Sequence, residues 1–421
     1  LLRLRLIALL SAVAAFPVAA EPGPKAPNVI VLLADDLGWA DVGFRGGPIE
    51  TPAIDRLAAE GLEFGRFYTT PICSPTRAAC ITGLAPARLQ VTNHIPDRWS
   101  FYSQRKPAGD KDSRPRGRKW GPGKSLHVLD KKHRTIAQRL KTAGYNTGFI
   151  GKWHMGAGND NPRPGFDYWF SFKGQGQYYP PNEKYTINDN GKRVPQDGYI
   201  TTLLTQHAVK FLESQTDREK PFFLYLSHKA VHGPFTPEPK YKDTLADIPF
   251  KLPASSTLLK NNLRNRPRWL LDQRNGWHGM DFPLHSGSSV EALYKSYCEA
   301  LRSVDDSIGA VKRQLKKMGI YDDTLIIYMG DNGYMFGEHG LIDKRVAYET
   351  SSRVPLLMQC PTMIKKGTVV DQVVANIDIA PTIMEAMGLK KPLHMDGESF
   401  LPLTQGTLIP WREYFLYVYY W

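Results

Sequence analysis

Carboxylates and an amide follow two apolar runs of the sequence and could bind a metal ion. The run NVIVLLADD ends in Asp35 and Asp36, and the run TLIIYMGDNG contains Asp331 and Asn332. Hard cations prefer oxygen ligands, and Ca²⁺ accepts roughly six to eight of them in irregular geometry. Aspartate is also common where loops begin, which is the alternative interpretation of the first pair alone. Taken together, the two runs favour a Ca²⁺ site.

Lysines and histidines follow other apolar runs and could act on an anion. Lys152 and His154 lie in GKWHMG, His232 lies in HKAVHGP, and Lys344 lies in DKR. Ammonium groups can hold the oxygens of an anion, and imidazoles can transfer protons. A lone histidine is more often structural than catalytic, and the role of His228, on the same run as His232, stays open.

Cys73 begins the stretch CSPTRAACITG and is the candidate nucleophile. Pro75 fits the first turn of a helix, and Gly83 fits its end. A thiolate at a helix N-terminus near cations has a lowered pKa and is reactive. A plain thiolate is nevertheless a poor ligand for a hard cation such as Ca²⁺. Residue types and spacing alone leave this mismatch unresolved.

Apolar, β-branched runs alternate with amphipathic runs along the chain. This alternation predicts an α/β fold with a mostly parallel central sheet between two layers of helices. In such sheets ligands bind at the carboxyl ends of the strands, so the residues above should meet at one edge. The predicted strands are 28–36, 62–69, 145–151, 221–228, 324–333 and 354–361, and the predicted helices are 51–61, 73–83, 135–144, 203–215, 290–318 and 378–388. Residues 233–289 are expected to form a long surface excursion.

The N-terminal residues LLRLRLIALLSAVAAFPVAA resemble a signal for export. Two arginines precede an apolar run that ends in small residues, which is typical of a secretory signal peptide over residues 1–20. A membrane anchor is the alternative, but the run is short and Pro17 interrupts it. We therefore expect a periplasmic or extracellular protein without a stable membrane anchor.

The four cysteines and the ordinary composition exclude several classes of protein. The chain has 421 residues, 42% hydrophobic and 23% charged, which suits one large or two ordinary globular domains. Cys73, Cys80, Cys298 and Cys360 show neither the spacing of a disulfide framework nor that of a structural zinc site.

The net charge of +13 is concentrated in residues 98–134, which hold twelve Lys or Arg and three Asp. The segment is either a solvated loop or a basic rim for a polyanion. Nucleic acid is not the expected partner, because the chain lacks a nucleic-acid-binding motif and is predicted to be exported.

The motifs together resemble those of the sulfatase family. CSPTRAACITG is similar to its signature, in which the cysteine is oxidised to formylglycine, and Cys80 stands where Leu or Met is usual. The DD strand end, GKWHMG, the run ending in HGP, and GDNG followed by DKR and RVP also resemble the family, in the same order from about residue 27 to 420. The resemblance implies an alkaline-phosphatase-like α/β fold.

The resemblance also implies a role for each candidate residue. Cys73 would become formylglycine through a sulfatase-maturing enzyme, and its hydrated form would attack sulfur and then expel sulfate. Arg77 would hold that group, His154 would take its proton, and His232 would protonate the leaving alcohol. Lys152 and Lys344 would bind the sulfate oxygens. The implied ligands of Ca²⁺ are Asp35, Asp36, Cys73, Asp331 and Asn332.

A sulfated carbohydrate is the expected substrate, because the DKRxxYE pattern at residues 343–349 resembles N-acetylglucosamine-6-sulfatase and iduronate-sulfatase relatives. Two alternatives stay open: a phosphatase or phosphodiesterase on the same fold, and a catalytically inactive protein that binds sulfated glycans. The expected organisation is a signal peptide (1–20), a linker (21–27), a catalytic domain (28–400) and the start of a truncated C-terminal subdomain (401–421).

Overall fold

Ten strands of the described chain pair into one sheet through the middle of the molecule. The computed structural model describes residues 26–95, 128–156, 158–256, 267–274, 279–281 and 287–419. The strands are β1 (Asn28–Ala34), β2 (Leu62–Phe64), β3 (Phe67–Tyr68), β4 (Asn146–Gly151), β5 (Tyr168–Ser171), β6 (Thr186–Asp189), β7 (Lys192–Pro195), β8 (Phe222–Ser227), β9 (Thr324–Gly330), β10 (Met335–Phe336), β11 (Ile342–Asp343), β12 (Leu356–Gln359), β13 (Thr368–Val370) and β14 (Val374–Ala375).

Ten α-helices in the described ranges lie between or after these strands. They are α1 (Pro52–Glu60), α2 (Cys73–Thr82), α3 (Pro86–Leu89), α4 (Ile136–Thr142), α5 (Ile200–Glu213), α6 (Arg268–Arg274), α7 (Val290–Lys317), α8 (Glu349–Ser352), α9 (Ile379–Ala386) and α10 (Leu401–Thr404). Short 3-10 helices occur at Gly43–Arg45, Glu338–Gly340 and Asn376–Asp378. None of the helices in the described ranges has the length and apolar character needed to cross a bilayer.

The sheet is mostly parallel at its centre. Its strand order is β13-β2-β12-β9-β1-β8-β4-β5-β6-β7. Each neighbouring pair from β9 through β5 is parallel. On one side β12 runs antiparallel to both β9 and β2, and on the other side β6 and β7 are antiparallel. The predicted fold class is therefore confirmed.

Both faces of the sheet are covered by helices, because successive residues of a strand point to opposite faces. Val31 of β1 belongs to the apolar cluster on one face, and its neighbour Leu32 belongs to the cluster on the other. The first cluster includes residues of α2, α4 and α9, and the second includes residues of α1, α5 and α7. These two clusters hold the central strands, and so their carboxyl ends, in fixed positions.

Two details of the predicted elements are wrong. Residues 62–69 form two short strands in different sheets, because the chain turns at Gly65 and Arg66 between them. Residues 233–289 are more than a surface excursion, since the segment contains α6 and buries Phe235 and Leu245.

Some predicted features fall outside the described residues. The predicted signal peptide does, as does the basic segment 98–134 except for residues 128–134. Beyond α10, Trp411 donates to the carbonyl of Val373 at 2.7 Å and Arg412 pairs with Asp378, so these residues contact the main body.

Candidate active site

The candidate nucleophile begins a buried helix at the carboxyl edge of the sheet. Cys73 is the first residue of α2, and Gly83 ends the helix in the left-handed conformation with φ of 71°. The Sγ atom of Cys73 lies 3.2 Å from Nδ1 of His154. The amides and dipole of a helix N-terminus stabilise negative charge at this position. The local geometry therefore suits a nucleophile beside a base.

Hydrogen bonds fix which nitrogen of His154 can accept a proton. Nε2 lies 3.0 Å from the carbonyl oxygen of Ile95, which can only accept, so Nε2 carries the hydrogen in the neutral ring. Nδ1 is then the acceptor facing Cys73. Ser74 supports this arrangement, because its hydroxyl donates to the carbonyl of His154 at 2.9 Å and accepts from the amide of Ile95 at 3.1 Å.

Arg77, one turn after Cys73, connects α2 to three strand ends, those of β4, β8 and β9. Its Nε donates to Oδ2 of Asp331 at 2.8 Å, and its Nη1 donates to the carbonyl of Lys152 at 2.8 Å and to the hydroxyl of Ser227 at 2.5 Å. The side chain is 1% exposed. A planar guanidinium can make several such contacts at once, which a lysine cannot.

The predicted lysines contact the predicted metal ligands. Lys152 pairs with Asp35, and Lys344 pairs with Asp36. Nδ2 of Asn332 also donates to Oδ1 of Asp36, at 2.7 Å. Each of these side chains is buried. Residues far apart in the sequence therefore form one compact group of opposite charges.

The donor atoms of this group fit a hard cation. Ligand atoms of Asp35, Cys73 and Asp331 lie within 4.8 Å of one another, as do those of Asp35, Asp36 and His232. Oδ1 of Asp35, which lies 3.6 Å from Nη2 of Arg77, and Oδ1 of Asn332 are buried without a hydrogen-bond partner among the described residues. Buried oxygens that lack donors are unfavourable unless something positive contacts them. The residues present thus suit Ca²⁺, which prefers oxygen ligands.

Burial and neighbouring charges shift the two central carboxyls in opposite directions. Burial alone would raise the pKa of Asp35, but the charges of Lys152 and Arg77 hold it well below its usual value. Burial, followed by the charge of Asp35, raises the pKa of Asp331 well above its usual value. A cation bound between these carboxyls would offset the repulsion and favour the ionised form of both.

His232 lies beside Asp35 and Asp36. Its Nε2 is 3.8 Å from Oδ2 of Asp36, and its Nδ1 donates to the carbonyl of Gly233 at 2.7 Å. Burial and the charge of Lys152 lower the pKa of His232 well below its usual value. The side chain is 18% exposed, so solvent reaches part of it.

The sequence reasoning missed Lys229 as a member of this site. Its ammonium is buried, 4.6 Å from the ring centre of Tyr178 and 3.4 Å from the carbonyl of Gly233. Burial and the charge of Lys152 lower the pKa of Lys229 to about 7. Its place between two singled-out histidines, His228 and His232, was the only signal for it.

Unusual backbone conformations concentrate at the site. Asp36 and His154 have φ of 60° and 51°, and the residues on either side of Lys344, Asp343 and Arg345, have φ of 76° and 81°. Non-glycine residues seldom adopt positive φ, and such residues cluster at functional sites. Gly151 is required before Lys152, because a Cβ there would lie 1.8 Å from the carbonyl oxygen of Ser227.

The structure brings all ten predicted site residues together at the carboxyl edge of the sheet, linked by the contacts described above. A nucleophile beside a base, two lysines and a candidate cation site are the groups that an enzyme hydrolysing an ester of a tetrahedral oxyanion needs. The family model described as Sulfatase matches residues 27–389, and the chain belongs to the sulfatase family. It is a sulfuric ester hydrolase.

Relatives with known names support this membership. The chain is 28% identical over 455 residues to an N-acetylglucosamine-6-O-sulfatase of Bacteroides thetaiotaomicron, covering 94% of this chain and 74% of the relative. It is 29% identical to the mouse N-acetylgalactosamine-6-sulfatase, covering 97% of this chain and 72% of the relative. These matches favour neither a phosphatase nor an inactive glycan-binding protein.

A solved structure gives the same result for the fold. A protein in complex with its substrate D-glucosamine-2-N,6-O-disulfate superposes with a TM-score of 0.74 at 26% identity, covering 94% of this chain and 84% of that one. The alkaline-phosphatase-like α/β architecture expected from the sequence is thus shared with a solved relative.

Proposed function

We propose that this protein removes sulfate from a sulfated carbohydrate, with a formylglycine made from Cys73 as the nucleophile and one bound Ca²⁺. The observation that carries this proposal is the contact of 3.2 Å between Sγ of Cys73 and Nδ1 of His154, beside the carboxylates of Asp35 and Asp331. A nucleophile, a base and a cation site thereby meet at one position.

The substrate is proposed to be an amino sugar that carries its sulfate at carbon 6. Both named relatives act on 6-sulfated N-acetylhexosamines, and the solved relative holds a 6-O-sulfated glucosamine. Turnover of N-acetylglucosamine 6-sulfate should exceed that of the isomer sulfated at carbon 3. A preference for the 3-sulfate would contradict this assignment.

The side chains would divide the work between binding and proton transfer. Asp35, Asp36, Asp331, Asn332 and residue 73 would hold Ca²⁺, which, when bound, stabilises negative charge on the sulfate oxygens and on the attacking oxygen. The hydrated formylglycine supplies one hydroxyl for attack on sulfur and a second for the release of sulfate.

Proton transfer falls to the two histidines. His154 takes a proton from residue 73, because its Nδ1 faces that residue as an acceptor. His232 gives a proton to the leaving alcohol, which a sugar needs because an alkoxide leaves poorly. A bound sulfate ester is negative and offsets the lysine charges that disfavour protonated His232. Lys152 and Lys344 bind the sulfate oxygens, and Arg77 positions residue 73.

The proposal extends to biosynthesis. Residues 1–20 would direct export to the periplasm or the extracellular space, and a formylglycine-generating or other sulfatase-maturing enzyme would act on CSPTR, including Ser74 and Pro75.

Residues 28–400 would form the catalytic domain. The basic segment 98–134 would contact an anionic polysaccharide.

Mass spectrometry of the tryptic peptide 67–77 tests the nucleophile. The protein is made in a host that contains a maturation enzyme, beside a sulfatase known to be converted. We expect a peptide lighter than the cysteine form that reacts with an aldehyde probe. An unmodified Cys73 beside a converted control would refute the proposed mechanism.

A further inference from the structure

A cavity of about 620 Å³ lies at the edge of the sheet opposite the catalytic site. It is bounded by the end of α1 at Glu60, the end of α7 at Lys316, and Gln359 at the end of β12. Gln359 pairs with Ile326 in β9, five residues before Asp331. At about 3.3 Å per residue, the cavity is roughly 16 Å along the sheet from the candidate metal ligands.

Gln359 lines this cavity and carries an amide that no described residue uses. The residue is 1% exposed, and neither Nε2 nor Oε1 has a hydrogen-bond partner among the described residues. Leu357, which shares its face of β12, packs in the apolar cluster. A buried amide without partners is unfavourable, so an apolar residue would be more stable here unless something in the cavity uses the amide. The amide offers a donor and an acceptor side by side, which suits a hydroxyl or acetamido group.

Lysines give the mouth of the cavity a positive charge. Lys365 and Lys366 line it, are exposed, and form no ion pair with any residue in the described ranges. The ammonium of Lys316 lies 4.7 Å from the ring centre of Tyr321, which holds it at the rim.

The negative groups of the cavity do not cancel this charge. Glu60 is already engaged, at 3.1 Å from Lys312 and at 2.6 Å from the hydroxyl of Tyr321. Asp322, exposed at the rim, is the other acidic lining residue. Three lysines and two carboxylates therefore line the cavity, and one of those carboxylates, Glu60, is paired with Lys312.

We propose that this cavity is a second binding site for one sulfated sugar residue, separate from the site of hydrolysis. The lysines bind its sulfate, and the Gln359 amide binds its hydroxyl or acetamido group. The inference rests on the proposed function for the class of ligand, but it uses a different surface. Two such sites on one chain would let the protein hold a sulfated polysaccharide at one residue while hydrolysing another.

Hydrogen exchange on the full chain with Cys73→Ala, which cannot turn over substrate, tests the site. The probes are N-acetylglucosamine 6-sulfate, inorganic sulfate and unsulfated N-acetylglucosamine. We expect the sulfated sugar to protect peptides covering residues 312–322 and 357–367, and the other two probes to protect them much less. In the same background, Gln359→Leu should weaken this protection about tenfold, because two hydrogen bonds are lost.

Matched variants separate this inference from the proposed function. Lys366→Glu should weaken the remote protection, whereas Lys390→Glu, an exposed lysine outside the cavity lining, should not. With Cys73 intact, Gln359→Leu should turn over the monosaccharide at the normal rate. Equal protection by inorganic sulfate would reduce the cavity to a simple anion site and overturn the proposal. Protection limited to peptides of the catalytic edge would overturn the second binding site but leave the proposed function unchallenged. Absence of protection in every peptide would count against both the second site and the proposed function.

Discussion

Arg77 Nε donates to Asp331 Oδ2 at 2.8 Å, although 254 positions separate the two residues in the sequence. The contact joins the helix that carries the candidate nucleophile to the strand end that carries two candidate metal ligands. Because both side chains are buried, the relative position of nucleophile and metal site depends on a contact that water does not weaken.

Replacing Arg77 by Met should destabilise the fold as well as the site. The substitution leaves Asp331 buried without its main partner, which typically costs about 3–5 kcal/mol of the free energy of unfolding. Urea denaturation measures this loss. Arg88→Met is the control, because Arg88 is 52% exposed in its pair with Asp396 and such pairs contribute about 1 kcal/mol or less. Equal losses of unfolding free energy in the two variants would show that the buried contact contributes no more to stability than the exposed pair.

Removal of Ca²⁺ should lower both activity and thermal stability. A ligand that binds only the folded chain adds about 2.7 kcal/mol when present at 100 times its dissociation constant. Thermal unfolding is compared after treatment with a chelator and after Ca²⁺ is restored. Asp36→Asn should abolish the Ca²⁺-dependent shift in melting temperature, and the surface variant Asp306→Asn should keep it. A shift retained by Asp36→Asn would place the ion elsewhere.

His232→Gln should slow hydrolysis according to the leaving group. Loss of a general acid costs about 10²- to 10⁴-fold for a poor leaving group. We expect kcat/KM to fall by that amount for N-acetylglucosamine 6-sulfate and far less for an aryl sulfate, because a phenolate leaves without a proton. His394→Gln, an exposed variant, is the control. The same loss for both substrates would mean that His232 binds sulfate and does not act as an acid.

Buried His228 should make the fold sensitive to mild acid. Its Nε2 is 2.9 Å from the hydroxyl of Ser307, and burial lowers its pKa from 6.5 to about 4. Below pH 6.5 the unfolded chain binds a proton here that the folded chain does not, so this stabilisation is present above pH 6.5. As the pH falls from 6.5 towards 4, the free energy of unfolding decreases by about 3 kcal/mol in total because of this residue.

Urea denaturation at pH 7 and pH 4.5 measures this effect. The stability of His228→Gln should fall less between the two pH values than that of the unchanged chain, because glutamine does not titrate. His394→Gln should behave like the unchanged chain. An identical pH dependence in all three would rule out His228 as the source.

The central strands and the meeting of the site residues followed from the sequence, because apolar runs that end in polar residues mark the carboxyl edge of a parallel sheet. The antiparallel direction of β12 could not be predicted, because an apolar run has the same residue pattern in a parallel and in an antiparallel strand. The hairpin of β6 and β7 had a signal that was not used: Asn190 and Gly191, with φ of 51° and 89°, form the tight turn that joins these strands.

Within the site, residue types predicted the chemistry but not the partners. Lysines were expected to face the substrate and aspartates the metal, yet Lys152 pairs with Asp35 in the folded chain. Spacing along the sequence carries no information on such long-range pairs. Lys229 was missed because burial of a lysine can be seen only once the neighbouring loop is placed over it.

The 1% exposure of Cys73 has a consequence for the order of events during biosynthesis. An enzyme that oxidises this thiol has to reach it, and in the folded chain α2 is enclosed by the rest of the molecule along its whole length. The proposed oxidation therefore has to occur on the nascent chain, before folding buries residues 73–82. Maturation and folding would then compete in time, and protein that folded first would stay permanently inactive however much maturation enzyme was supplied later.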